Sequence, residues 1–395
     1  MAQLQTSVIG QSQANRQARR RLVTEVTIVA GVALLLLLVI PPLLTAAGQG
    51  VRVNQLGRFL SLAIAALGID LIWGFTGLLS LGHGIFFALG GYAFAMYLQL
   101  QIPAGQIPEF FTLYGVTELP FFWKPFYSFP FTLAAIVLVP TVVATAIGYL
   151  VFRNRIRGVY FSILTQAALI VFFNFFNGQQ KLINGTNGLK TDTSMIFGLL
   201  ASDPKVQGTL YTLSVLFLAA GYALCRWLTS GRMGRLLVAI RDDEPRVRFS
   251  GYDPTWFKVF VFAVSAALAG IAGSLYTVQS GIITPKAMDV AFSIEMVIWV
   301  AVGGRATLVG AILGALIVNF AKTLLSEQFP AFWLFFQGAL FLLVVTVLPT
   351  GILGWLRTDG WNWARSLMGR SSKVSTYPSL EQDPEIEYER KNLGD

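Results

Sequence analysis

The chain has 395 residues, of which 55% are hydrophobic and only 12% charged. Soluble globular proteins carry about 25% charged residues, so this composition excludes a water-covered globule and requires most of the surface to face lipid. The net charge of +9 reads as Arg- and Lys-rich loops on one side of a membrane rather than a nucleic-acid surface, and a single cysteine and a single histidine exclude an internal disulfide, a cysteine metal cluster and a zinc site built on His83 alone.

Taken in chain order, Met1–Arg21 is polar and ends in Arg16, Arg19, Arg20 and Arg21. The apolar run behind it, Val26–Val51, has spanning length and continues through Pro41 and Pro42, so it reads as a retained first span rather than a cleaved signal. Residues 1–25 then form a cytoplasmic N-terminal segment. Further apolar segments follow at Phe59–Leu79, Ser80–Leu100, Phe129–Phe152, Gly158–Gly178, Gly208–Cys225, Val259–Gly281, Ser293–Gly303, Ala306–Ala321 and Ala331–Leu348. These make an all-α, polytopic transmembrane body over residues 26–350 with about ten membrane segments. Ser293–Gly303 is too short to cross alone and is expected to be re-entrant or to merge with its neighbour. The insert Gln101–Ser128, with Pro103, Pro108, Pro120, Pro125 and eight aromatic residues, reads as an ordered extracytoplasmic cap. Asn184–Gly188 reads as consecutive tight turns. Residues 351–395 read as a cytoplasmic interfacial helix around Trp355, Trp361 and Trp363 followed by a polar tail. With the N-terminus inside, Arg153, Arg155 and Arg157 and the segment Gly231–Lys258 also fall inside, as the positive-inside rule requires.

Gly231–Lys258 is the densest charged stretch of the chain. Each charge would cost about 2.5–3.5 kcal/mol at the bilayer centre, so it sits in water and is expected to face a soluble partner. Leu236, Leu237, Ala239 and Ile240 supply an apolar stripe there, and Arg235, Arg241, Asp242, Asp243 and Glu244 supply charges that fix register. Glycines cluster twice: Gly77, Gly82 and Gly84 within Gly74–Gly91, and Gly303, Gly304, Gly310 and Gly314, the last two at GxxxG spacing. Glycine costs about 1 kcal/mol in a helix interior, so such density implies close helix contact or a break that lines a cavity. Asp70, His83 and Glu295 are ionisable residues inside spans and count as path residues by default. Ser80, Thr165, Gln166, Asn174 and Gln279 are polar residues on spans, each equally suited to bonding a neighbouring helix. The chain contains no GxxxxGK[ST] loop, no HExxH, no CxxC and no GxSxG, so no catalytic residue and no metal ligand is expected.

Four blocks, Gly77–Leu98, Gly231–Asp253, Phe257–Tyr276 and Val302–Ala315, resemble the branched-chain amino acid ABC transporter permease family over roughly residues 55–355. Within it, the aromatic insert, the block SIEMVIWVAVGGRATLVGA and the run LSEQFPAFWLFFQGALF look like the urea-type permease subunit. The resemblance implies an ATP-driven importer of the bacterial inner membrane. A second permease, usually non-identical in this family, would pair with this chain. Two cytoplasmic ATPases would hold ATP and Mg, which this chain does not, and a periplasmic binding protein would deliver the solute. It also implies that Arg235–Tyr252, including Gly251 and Tyr252, supplies the coupling helix seated in an ATPase. Urea is the solute implied by the narrower resemblance, and a branched-chain amino acid or short-chain amide by the wider one. An ion-coupled secondary transporter using Asp70 with Glu295, a passive urea or amide channel, and a membrane scaffold without transport are the readings of other classes.

Overall fold

Twelve helices carry the architecture in the computed structural model, which describes residues 27–103, 106–329, 332–347 and 351–356. They are α1 (Thr27–Ala46), α2 (Val51–Thr76), α3 (His83–Gln99), α4 (Phe129–Arg153), α5 (Val159–Gly178), α6 (Pro204–Ser230), α7 (Arg232–Asp242), α8 (Glu244–Phe249), α9 (Pro254–Ser280), α10 (Val290–Gly303), α11 (Leu308–Gln328) and α12 (Trp333–Val347). Arg16–Arg21, Trp361, Trp363 and the polar tail lie outside the described residues. The chain divides after Leu353, and only residues 354–356 of the second unit, Gly354–Asp395, are described.

Each of the ten apolar segments expected from the sequence contains a helix among its described residues. Among the described residues seven helices, α1, α2, α4, α5, α6, α9 and α11, are long and apolar enough to cross a membrane. The other three are shorter, at 17 residues for α3, 14 for α10 and 15 for α12. At 1.5 Å per residue α10 extends about 21 Å, well short of a hydrocarbon core of about 30 Å. It stands as a helix of its own, separated from α11 by a break at residues 304–307.

Local chemistry sets the helix ends. Asp203 and Asp253 each precede a proline, and each carboxylate accepts a hydrogen bond from a first-turn amide, Lys205 and Thr255 at 2.8 and 3.0 Å. An Asp cap with Pro at the first helical position satisfies a free amide and presets the helical φ, which starts α6 and α9. Gly77 (φ 73°) and Gly281 (φ 80°) close α2 and α9 in the left-handed conformation.

The buried axis is the antiparallel pair α2–α9, with Gly57 against Gln279 at one end and Gly68 against Ser265 further along. Helices α3 and α4 pack on α9, α6 packs on α2, and the α10–α11 hairpin closes against α2. Backbones touch where α3, α4 and α9 cross. A Cβ on Gly90 would overlap the Gly270 carbonyl, one on Gly273 would overlap the Phe87 carbonyl, and one on Gly270 would lie 2.5 Å from the Ile136 oxygen. Ile136 is four residues before Pro140 in α4; the proline cannot donate to that carbonyl, and Gly270 occupies the space beside it.

The two ends of the bundle differ. At one end α7 packs on α6 and α2, and the first turns of α9 lie beside the end of α4, with Trp256 on Tyr149 at 5.4 Å between ring centroids and the Lys258 ammonium 5.6 Å from the Phe152 ring centroid. At the other, the insert folds over the end of α5. Trp123 Nε1 donates to the Leu182 carbonyl at 3.1 Å, and Tyr114 Oη meets the Gln180 amide at 3.2 Å. The segment after α5 is tied to the end of α9 by the antiparallel pairs Leu189 with Ile283 and Lys190 with Ile282.

Candidate functional site

The charged hairpin α7–α8 is built inward by its apolar residues and outward by its aromatic ones. Leu237, Ile240 and Val247 are buried against the helical body, and Leu236 is half-buried. Of the stripe expected to meet a partner, Leu237 and Ile240 anchor the hairpin instead, while Ala239 stays exposed. Asp243 caps α8, accepting from the Arg246 amide at 3.0 Å, and Asp242 pairs with Arg241 at 3.0 Å. Glu244 turns inward. It pairs with Lys258 of α9, itself only 4% exposed at the side chain, and with Arg248 at 2.8 Å. Burial pushes the Glu244 carboxyl up, but the hydrogen bonds and charges of Lys258 and Arg248 outweigh it and hold the group below the ordinary glutamate range. The Thr255 amide and hydroxyl beside Asp253 hold that carboxyl down as well.

This triad leaves a rigid outward face. Phe249 is 91% exposed and Trp256 59%, with Tyr252, Gly251, Arg235 and Arg246 exposed around them. Exposed aromatic residues beside Arg are the composition of interface anchors. Sequence reasoning selected Tyr252 and passed over Phe249 and Trp256. Their position on either side of a Gly-Tyr-Asp turn in a strongly charged segment was the available signal.

The first glycine cluster coincides with an interruption of regular backbone at residues 77–82. Its polar groups are met by side chains from neighbouring helices. The Leu81 amide donates to Thr165 Oγ1 at 3.1 Å, the Ser162 hydroxyl donates to the Leu79 carbonyl at 2.6 Å, and the Gly84 amide donates to Ser293 Oγ at 3.2 Å. Ser80 closes locally on the Gly82 amide. Non-helical backbone within a membrane protein requires such partners. Gly82 and Gly84 permit the approach, since a Cβ there would sit 2.8 Å from the Thr165 oxygen and 2.7 Å from Ser293 Oγ. His83 points to the other side, with Nε2 2.7 Å from Ser265 Oγ, which donates in turn to the Gly68 carbonyl. The imidazole ties α3, α9 and α2 together.

The remaining polar residues separate into distinct settings. Asp70 Oδ1 accepts from the Ala306 amide at 2.7 Å. Gln279 joins Ser61 and Ser214 at 3.2 and 2.9 Å, linking α9, α2 and α6. Glu295 of α10 pairs with Lys322 of α11 at 2.7 Å. Asp70 and Glu295, the pair an ion-coupled carrier would need, are thus engaged with different partners, and the described residues contain no metal-binding cluster. Gln166 and Asn174 lie two turns apart on α5, half-buried and exposed, and neither finds a hydrogen-bond partner among the described residues. In the second glycine cluster, a Cβ on Gly314 would overlap the Trp299 carbonyl and one on Gly303 the Gly310 carbonyl. That cluster seals the α10–α11 hairpin. A cavity of about 970 Å³ beside the insert is lined by Gln99, Glu109, Thr112 and Ser194 among others, and by none of the eight polar residues expected along a path.

The model of the family described as branched-chain amino acid transport system, permease component, matches residues 51–345, from the start of α2 almost to the end of α12. The chain belongs to that family. It is a transport subunit and not an enzyme. Among its relatives, the high-affinity branched-chain amino acid transport system permease protein LivM of Salmonella typhimurium is 26% identical over 311 residues, 73% of this chain and 67% of that protein. The corresponding protein LivH of the same organism is 26% identical over 311 residues, 74% of this chain and 91% of that protein. The ribose import permease protein RbsC of Haemophilus influenzae is 23% identical over 217 residues, 53% and 62% of the two chains. No solved structure matches the chain.

Proposed function

We propose that the chain is one permease of an ATP-driven importer for branched-chain amino acids, paired with a second permease. The family and the two relatives named for branched-chain amino acid transport support the solute class. The observation that carries the ATP-driven reading is the outward aromatic face of α7–α8 around Phe249, held rigid by the Lys258–Glu244–Arg248 triad. Cytoplasmic ATPases with bound ATP and Mg would seat Phe249, Tyr252 and Trp256. This orientation puts the chain in a bacterial inner membrane with the α7–α8 end and both termini inside, and the insert facing a periplasmic binding protein.

The solute path in this reading runs along the exposed side of α5. An unpaired amide facing hydrocarbon costs about 1–3 kcal/mol, so Gln166 and Asn174 belong against water, solute or the second permease. A second reading, urea, rests on the likeness of the aromatic insert to urea-type permeases. Two neutral amides along the path suit a solute that needs only hydrogen bonds. Uptake of labelled leucine and labelled urea in a strain lacking this chain decides between them: loss of leucine uptake with urea uptake retained supports the first reading, and the reverse supports the second. In the same strain Phe249→Asp is expected to abolish both uptake and co-purification of the ATPase while membrane insertion is unchanged. Retained co-purification would remove the docking face from the account. Gln166→Leu with Asn174→Leu is expected to lower uptake roughly tenfold through lost hydrogen bonds.

A further inference from the structure

We propose that the last two turns of α2 transmit movement of the α7–α8 hairpin to the break between α10 and α11, with Arg241 and Asp70 as the positioning residues at the two ends of the link. This rests on the reading of the chain as an ATP-driven permease and assigns the internal connection that such a subunit needs.

Gly74 stands at the centre. Its carbonyl is among the last four of α2, which have no partner inside the helix, and it accepts from Arg241 Nη1 at 2.9 Å. A guanidinium at a helix C-terminus is also favoured by the helix dipole. The Arg241 stem lies along Gly77, where a Cβ would sit 2.9 Å from Cγ. Arg241 thus bridges the two elements, with Nη1 on α2 and Nε on Asp242 of the hairpin. On its other side Gly74 admits the break: a Cβ there would lie 2.5 Å from both the Ala306 amide nitrogen and Asp70 Oδ1. Asp70 holds Ala306 by the 2.7 Å bond to its amide, and the Arg305 guanidinium stacks on Trp73 with 5.1 Å to the ring centroid. Ala306 has φ 58°, a conformation that residues with a Cβ seldom adopt and that persists only where neighbours impose it. The residues that hold this turn, Asp70 on Ala306 and Trp73 on Arg305, ride on the same turns that Arg241 grips. Displacing the hairpin pulls on the Gly74 carbonyl and shifts the hold on Ala306, and with it the angle between α10 and α11.

The test is made on the whole complex reconstituted in liposomes, by measuring solute uptake and ATP hydrolysis together. For Arg241→Ala, uptake is expected to fall at least tenfold while ATP hydrolysis falls less than twofold, so that the ATP used per solute rises. Asp70→Leu should give the same split, and Asp70→Asn, which keeps an oxygen for the Ala306 amide, should restore coupling. The double variant Arg241→Ala, Asp70→Leu should be no worse than either single one, as expected of residues in one link. Equal loss of uptake and hydrolysis, or multiplied effects in the double variant, would overturn the proposal. A second measurement does not depend on Asp70→Leu folding. Cys225 is the single cysteine and is buried, so Val309→Cys, exposed in the first turn of α11, provides a thiol reporter. Its labelling rate should change on ATP addition, and the change should vanish in the Arg241→Ala background. An ATP response that survives there would also overturn the proposal. Failure of the underlying reading is distinguishable, because the unmodified complex would then take up solute without ATP or bind no ATPase.

Discussion

Glu244 and Lys258 show how a charge pair works where bundle and water meet. Both side chains are nearly inaccessible, and Arg248 occupies the second carboxylate oxygen. Removing one member of such a pair strands the other, at a cost of about 3 kcal/mol or more. Glu244→Gln is therefore expected to destabilise the hairpin by about 3 kcal/mol, read as faster proteolysis between residues 231 and 258 in detergent. The pH dependence follows from the direction of the shift. Because the folded carboxyl titrates below the ordinary glutamate value of 4.5, the stabilisation is fully present above that value and is lost as pH falls through the folded one. Hairpin protection should be flat from neutrality down to about pH 5 and decline below it; a decline beginning near pH 7 would contradict the pairing.

At the scale of elements, the crossing of α3, α4 and α9 depends on backbone contact at Gly90, Gly270 and Gly273. Gly270→Leu would drive a side chain into the Ile136 carbonyl and Pro140 and is expected to abolish assembly, whereas Gly208→Leu on α6, where nothing lies within 4 Å, should assemble normally; yields in detergent compare the two. Long apolar runs made the helices themselves legible in the sequence, along with the shortness of α10 and the order of the aromatic insert, because length and hydrophobicity are local properties. Partners were not legible. A stripe such as Leu236, Leu237 and Ile240 has helical spacing whether it meets its own chain or another, and the fold gives Leu237 and Ile240 to its own. Gly270 and Gly273 stand in an unremarkable apolar run, and only the positions of Ile136 and Pro140 for the first and Phe87 for the second explain them. Asp70 and Glu295 were recognisable as membrane carboxylates, but their partners lie far along the chain, Ala306 236 residues from Asp70 and Lys322 27 residues from Glu295, and could not be assigned to them.

The described helical body has one end that carries the charged α7–α8 hairpin and another capped by the insert and the Leu189–Ile283 pairing. The proposed orientation predicts opposite accessibility of the two ends. In intact cells a membrane-impermeant thiol reagent should label Phe121→Cys, 82% exposed in the insert, and leave Phe249→Cys unlabelled, with the pattern reversed in inverted vesicles. Labelling of both from one side would invert or dissolve the topology.

Helix α1 stands apart from this plan. None of the 18-residue window that marks it as a span is buried, the family match begins after it, and its Leu36 carbonyl takes a single hydroxyl hydrogen bond from Tyr211 at 2.7 Å. Its Ala33, Leu36 and Leu37 lie against the core formed by the other helices. The flank it occupies is consequently a seam, where an outward-facing apolar helix meets the bundle through a few small and leucine side chains.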